Sequence, residues 1–288
     1  MPSDTVTVVT TSDPRRRRRL FWWWVVSVSV VIVAVLLFMR FVLFNDTATS
    51  LSTDEAVERF RASTTVAEIV LATTTTVTPH EQTLPATGVY RYATVGRESI
   101  DALDGAEHVY PDETTITFAA AGCGVEMRWD ALMERHDEWN LCVTEAGIEL
   151  QPTGGAYHIF FGQEKIEPIE CDESVVLVPS ELADQPVKAE PIALNCLIGG
   201  QPWFPVWEVL GRDQRTVEGT QVEVQHVRMT VTDEDEFHEY ITLDWYLDDH
   251  GLLIAATLAK QTLADTVVGA VTYKESYTLE LVSLTPLR

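Results

Sequence analysis

The chain has 288 residues, of which 20 are basic and 44 acidic, for a net charge of −24. The charge is unevenly placed: residues 1–19 carry five Arg and two Asp, whereas residues 45–288 carry 14 basic against 42 acidic side chains, a net −28. Nucleic-acid binding by the large part is excluded, because phosphate contacts need a basic surface, and tight docking on anionic headgroups is disfavoured.

The first predicted element is an anchor. Arg15 to Arg19 abut an apolar run from Leu20 to Met39 that is interrupted only by Ser27 and Ser29. As a helix, that run spans roughly 30 Å, the thickness of a bilayer's hydrocarbon core. A cleaved signal peptide has a shorter core followed by small residues, whereas Phe41 to Phe44 is still bulky. Residues 1–19 therefore read as a cytoplasmic basic tail and residues 20–44 as a transmembrane signal anchor. Trp22, Trp23 and Trp24 suit the inner interface, and Arg40 can snorkel at the outer one. The expected localisation is the cell membrane, single-pass, with everything after Phe44 extracytoplasmic.

Residues 45–86 read as a Thr/Pro-rich stalk with one short helix. Thr53-Asp54-Glu55 offers an N-cap and acids in a first turn, with the helix expected to end near Ala62. Thr73 to Thr76, Pro79 and Pro85 cannot build a core.

Residues 87–288 read as a mainly β extracytoplasmic domain. Gly88 to Ala93, Thr114 to Ala119, Ala156 to Phe161 and Val175 to Val178 are short β-branched and aromatic runs between turn residues. Ile241, Leu243, Trp245 and Leu247 alternate with polar neighbours, as do Val271, Tyr273, Tyr277, Leu279 and Leu281. Val222 and Val224 fall out of phase with Val227, Met229 and Val231, which predicts a β-bulge near Gln225 and His226. Asp233 to Glu236 and Asp248 to Gly251 read as hairpin turns. Gly96-Arg97-Glu98 and Gly211-Arg212-Asp213 form a faint internal echo, consistent with two similar β units side by side.

All four cysteines, Cys123, Cys142, Cys171 and Cys196, lie beyond the anchor, where an even count predicts two disulfides. Pairing neighbours, Cys123–Cys142 and Cys171–Cys196, closes the shortest loops. No C-x-x-C spacing supports zinc. The stretch between Cys123 and Cys142 fits either a helix or a hairpin turning near Leu132 and Met133, with the hairpin preferred.

No nucleophile elbow, zinc-protease motif or phosphate loop is present, and no motif asks for a cofactor or metal. The histidines are scattered. Arg135-His136-Asp137-Glu138 is the densest polar cluster and suits a charged hairpin tip or, less readily, acid–base chemistry. Asp233 to Glu236 lacks the spacing of a calcium loop. Trp203, Phe204 and Trp207, and Tyr157, Phe160 and Phe161, are aromatics beside Pro and Gly that can cover a sheet end or bind a ligand.

Val209-Leu210-Gly211-Arg212-Asp213, Val217-Glu218-Gly219, His226-Val227-Arg228 and Asp244 to Leu252 follow one another before a long closing strand. This order, over about residues 206–284, resembles the LolA/LppX-like proteins of bacterial envelopes, which carry a Gly/Glu strand pair followed by a Trp/Asp/Gly/Leu hairpin. The resemblance implies an incomplete, strongly curved antiparallel β-barrel whose concave apolar face holds lipid or acyl chains. This chain has no lipobox cysteine, so its anchor would be a helix. The fold class expected is thus an N-terminal transmembrane helix followed by a curved antiparallel sheet with few short helices. The function expected is non-enzymatic binding of a lipid, another amphiphile or an envelope protein, with Ile241, Leu243, Trp245 and Tyr277 as candidate ligand contacts. A structural or sensory ectodomain and an exported hydrolase with dispersed residues are the alternatives.

Overall fold

The computed structural model describes residues 23–36, 48–67, 84–101, 107–160, 163–180, 190–232, 239–266 and 269–288. The chain divides into two compact units, Met1–Thr47 and Ala48–Arg288.

In the first unit, residues 23–36 form a helix, α1. Trp23, Trp24, Val30, Ile32 and Leu36 are all exposed, so the helix is apolar all round. Fourteen helical residues reach about 21 Å. Among the described residues no helix is long and apolar enough to cross a membrane. The spanning helix predicted over 20–44 is therefore represented by a shorter one, and the rest of that stretch lies outside the described residues, as do the arginines before it.

The second unit opens with α2 (Thr53–Ala67), which runs past the predicted end at Ala62. Ser52 is its cap: Ser52 Oγ accepts the Glu55 N–H at 3.3 Å, and Glu55 Oε2 accepts the Ser52 N–H at 3.0 Å. This reciprocal capping box satisfies two otherwise orphan donors. Leu51, Ala56, Val57 and Phe60 then pack on Val89 and Ala119. The helix is thus docked on the β unit and does not stand in an extended stalk. Residues 68–83 of the predicted stalk lie outside the described residues.

Among the described residues sixteen strands follow: β1 (Gly88–Ile100), β2 (Glu107–Val109), β3 (Glu113–Ala121), β4 (Gly124–Leu132), β5 (Arg135–Val143), β6 (Gly147–Phe160), β7 (Gln163–Cys171), β8 (Val175–Pro179), β9 (Ile192–Ala193), β10 (Cys196–Ile198), β11 (Gln201–Trp203), β12 (Val206–Val217), β13 (Thr220–Thr232), β14 (Tyr240–Leu247), β15 (Leu253–Thr266) and β16 (Gly269–Leu281). They form one sheet in the order β11-β10-β7-β6-β5-β4-β3-β1-β16-β15-β14-β13-β12-β9, with β2 added to β1 and β8 to β6. The sheet is antiparallel and curls into a half-barrel. The expectation of a curved antiparallel sheet with few helices holds. The two echo segments sit in unlike places within it: Glu98 is fully buried on the concave face, whereas Asp213 is exposed.

Alternation explains which face each strand buries. In β16, Val271, Tyr273, Glu275, Tyr277, Leu279 and Leu281 all point inward. The segment between Cys123 and Cys142 is a hairpin of β4 and β5 that turns at Met133 and Glu134. The predicted bulge exists, but its extra residue is Leu210 on β12, opposite Val227 and His226, while β13 pairs with β14 without a break. Gln225 Nε2 donates to the Gly211 carbonyl at 2.7 Å and so fills the gap the bulge leaves. The Asp248 to Gly251 turn is as predicted: Asp248 Oδ1 accepts the His250 and Leu252 N–H groups, and Gly251 takes a positive φ of 77°. The turn predicted at Asp233 to Glu236 lies outside the described residues.

The curl brings the two limbs of the sheet face to face. Trp139 of β5 meets Trp245 of β14 with ring centroids 5.2 Å apart, Trp207 meets Trp245 at 5.6 Å, and Trp129 meets Tyr277 at 4.4 Å. A short strap then joins the two sheet ends. β9 pairs with β12 on one limb, and β10 pairs with β7 on the other, with only Leu194 and Asn195 between them. Asp172 grips the strap through the Asn195 N–H at 3.0 Å and Asn195 Nδ2 at 2.7 Å. Both disulfides pair as predicted, Cys123–Cys142 and Cys171–Cys196, and the second ties the strap to β7. Both apolar cores of the unit begin no earlier than Leu51, so the unit owes no described core residue to the segment before it.

Candidate functional site

A pocket opens where β6 changes partners. Residues Gly147–Leu150 of β6 pair with β8, and Thr153–Phe160 pair with β7. At this changeover Gln151, Pro152 and Thr153 leave the β5 ladder, which jumps from Leu141↔Leu150 to Trp139↔Gly154. Pro152 has no N–H to give a ladder, which favours a break here. Gly154 lets β6 rejoin, since a Cβ there would lie 2.6 Å from the Glu138 carbonyl. The gap is lined by Trp139, Leu150 and Pro152 on one limb and by Trp207, Met229 and Leu243 on the other. Leu194, Trp203 and Cys171 close it at the seam, and its volume is about 60 Å³. The Trp203 indole N–H is buried without an acceptor among the described residues.

At the end of the concave face nearer the β4–β5 turn, the lining becomes polar. Glu98 of β1, fully buried, lies 2.9 Å from His108 Nδ1, 3.0 Å from an Arg135 guanidinium nitrogen and 3.1 Å from His158 Nε2. The Tyr273 hydroxyl donates to it at 2.8 Å. Arg135 also bonds Glu275 at 2.9 Å and Asp137 at 3.2 Å, and the Tyr110 hydroxyl donates to Glu275 at 2.9 Å. Burial alone would raise the Glu98 carboxyl, but the bonds from His108 and His158 and the Arg135 charge hold it well below the ordinary range. Burial would also lower Arg135, yet Glu275, Tyr110, Tyr273 and Asp137 keep it firmly charged. Burial pushes the phenols of Tyr110, Tyr273 and Tyr277 up, so all three stay neutral donors.

Between pocket and polar end stand two further charges. Asp137 follows Arg135 and precedes Trp139 on the inner side of β5, and its charge is felt at the Tyr277 phenol. Lys260 of β15 faces inward over the Tyr273 ring, 5.3 Å from its centroid. Its ammonium makes no hydrogen bond or ion pair to any described residue.

The predicted candidates fall as follows. Leu243 lines the pocket; Trp245 packs behind it, against Trp139 and Trp207; Ile241 flanks the core one step along β14; Tyr277 is packed on Trp129 away from the pocket. Arg135-His136-Asp137-Glu138 is strand and not a hairpin tip: Arg135 and Asp137 point inward, while His136 stacks on Tyr157 on the outer face, centroids 5.0 Å apart. Trp203 and Trp207 reach the pocket, but Phe204 is exposed. Of the scattered histidines, His108 and His158 meet at Glu98, and His226 lies 2.6 Å from Asp244 on the outer face. His80, His238, Phe161 and the Asp233 to Glu236 run lie outside the described residues. Among the described residues no His, Cys, Asp and Glu group has the arrangement of a metal site.

Sequence reasoning passed over Glu98 and Glu275. Glu275 had a legible signal: it is a charge in phase with the apolar face of β16. Glu98 was likewise a charge in phase with the buried face of β1, but its partners were not legible, because its donors His108, Arg135, His158 and Tyr273 arrive from four different strands.

The carboxylates of the polar cluster are buried and supplied with protein donors, with Arg135 Nε the one buried atom of the cluster that finds no acceptor among the described residues, which suits a structural plug more than a reacting centre. The pocket offers apolar and aromatic walls with Gln151, Thr153 and Glu173 at its edge, which suits binding without chemistry. Compared with known proteins, the chain matches no protein family, no curated protein and no solved structure.

Proposed function

We propose that the protein is a single-pass, membrane-anchored extracytoplasmic binding protein whose β unit takes the apolar tip of a lipid or other amphiphile. The observation that carries this reading is the pocket at the seam, walled by Trp139, Trp203 and Trp207. A pocket of about 60 Å³ is less than half the roughly 150 Å³ apolar cavity that accommodates benzene, so it takes the end of a chain and not its length. The anchor is supported by the helix α1, apolar but for Ser27 and Ser29, that follows Arg15 to Arg19 in the chain. The reading extends the resemblance of residues 206–284 to the LolA/LppX-like proteins, whose segment here supplies Trp207, Met229 and Leu243 to the pocket.

One observation favours a second reading, a structural or sensory ectodomain. Trp129, Trp245, Tyr92 and Tyr277 are large aromatic side chains buried on the inner face, packed as a core is packed.

Calorimetric titration of residues 48–288 with decanol separates the two. Saturable binding is expected, weakened by Leu243→Phe, which fills the pocket while keeping the melting temperature within a few degrees. No saturable heat, or binding indifferent to the filling, favours the structural reading. Protease added outside intact cells should digest the β unit; full protection would reverse the topology.

A further inference from the structure

We propose that the ligand of this site is zwitterionic, its anionic group meeting Lys260 and its cationic group meeting Asp137. The inference rests on the binding reading above and names the head group that the concave face selects.

Position comes first. Trp139 and Leu243 line the pocket from facing limbs. Asp137 is the next inward residue on β5 after Trp139. Ile241 is the next inward residue on β14 after Leu243, and Lys260 is its direct partner on β15. Two residues of strand advance about 6.8 Å, so both charges stand one side-chain row from the pocket, on opposite walls. A chain tip held by the tryptophans therefore presents its head between them.

Charge comes second. Lys260 is half-buried, in a region whose carboxylates are numerous, yet it has no ion pair or hydrogen bond with a described residue. Its cross-strand partner Glu275 is committed to Arg135 and Tyr110. A partly desolvated ammonium that meets the Tyr273 ring but no carboxylate among the described residues favours an anionic group. A net anion is nevertheless disfavoured. Glu275 and Glu98 share the cross-strand row of Lys260, and with Asp137 they stand against Arg135, so the carboxylates outnumber the fixed cations even when Lys260 is counted. A net cation suits the carboxylates but leaves Lys260 repelled. A head group with both charges, neutral overall, satisfies the two walls together. Asp137 is the carboxylate within reach, since its side chain keeps 15% exposure while Glu98 and Glu275 keep none.

The test holds the tail constant and changes the head. Residues 48–288 are titrated with decyl sulfobetaine, decyl sulfate, decyltrimethylammonium and decanol, each below its micelle concentration. The sulfobetaine is expected to bind roughly tenfold tighter than each of the other three. Lys260→Met and Asp137→Asn should each bring the sulfobetaine to the level that decanol shows in the same variant, and Lys260→Arg should keep the preference. Affinities that rise steadily from anion to cation, or a sulfobetaine no tighter than decanol, overturn the inference while leaving the pocket intact. A preference that survives Lys260→Met in a folded protein overturns it too. If none of the four binds, decanol included, the pocket reading itself fails.

Discussion

Glu98 is the residue on which the polar interior converges. Its carboxylate is fully buried and accepts from a guanidinium, two imidazoles and a phenol, so its ionised form is compensated only in the folded chain. Glu98→Gln removes an acceptor from Arg135 and sets an NH₂ group among donors. Breaking such a buried pair costs about 3–5 kcal/mol, which a urea denaturation midpoint at neutral pH would reveal. The pH dependence follows in sign. The carboxyl lies below its ordinary value of 4.5 in the folded state, so its contribution is complete above that value and is lost as pH falls through the range beneath it. Asp244 shifts the same way: burial would raise it, but Arg228 and His226 outweigh that. Asp248 shifts oppositely, since burial raises it. Denaturation midpoints of the parent protein should therefore drop between about pH 4.5 and pH 3, with a shallower drop in the Glu98→Gln variant. A parallel drop in both would remove Glu98 from the account.

At the scale of elements, the strap of β9 and β10 decides how far the sheet closes. It holds one limb by two residue pairs and the other by three, so ladder bonds alone secure it weakly. The Cys171–Cys196 bond, with a separation of 25 residues, adds roughly 3 kcal/mol by constraining the unfolded chain. Replacing both cysteines by serine should lower stability by about that amount and raise amide exchange first at Leu194 and Leu197. The matching Cys123/Cys142 pair of substitutions should lower stability similarly, with a separation of 19 residues, and leave those amides protected. Equal exchange in the two variants would show that the strap holds without its disulfide. The strands themselves were largely legible, because period-two alternation records which face a strand buries. The bulge was legible only as a slip of phase. Gln225 and His226 carry that slip, but the inserted residue is Leu210 on the neighbouring strand, since a slip in one strand can be absorbed by its partner.

For the molecule as a whole, residues 48–288 contain every strand among the described residues, both disulfides and both described apolar cores. Removing residues 1–47 should leave the near-ultraviolet circular dichroism unchanged and the melting temperature within about 2 °C. Starting instead at residue 84 uncovers Val89 and Ala119 by deleting Leu51, Val57 and Phe60, and should cost at least about 3 kcal/mol. A melting temperature indifferent to that second truncation would show that α2 does not belong to the folded unit. What the amino-acid order alone determined was local or statistical: the strong charge asymmetry, the arginine-flanked apolar run, the β class, and the pairing of cysteines that are neighbours along the chain. Each follows from the properties of adjacent residues, or from the low entropy of closing a short loop. Only the tertiary structure decided that Glu98, His108, Arg135, His158 and Glu275 form one cluster, and that Trp139, Trp203 and Trp207 wall one pocket. Those residues come from strands distant in sequence, and the curl of the sheet sets which of them meet. The sequence shows each side chain's face, but contact across the concave side depends on twist and closure, which no local pattern records.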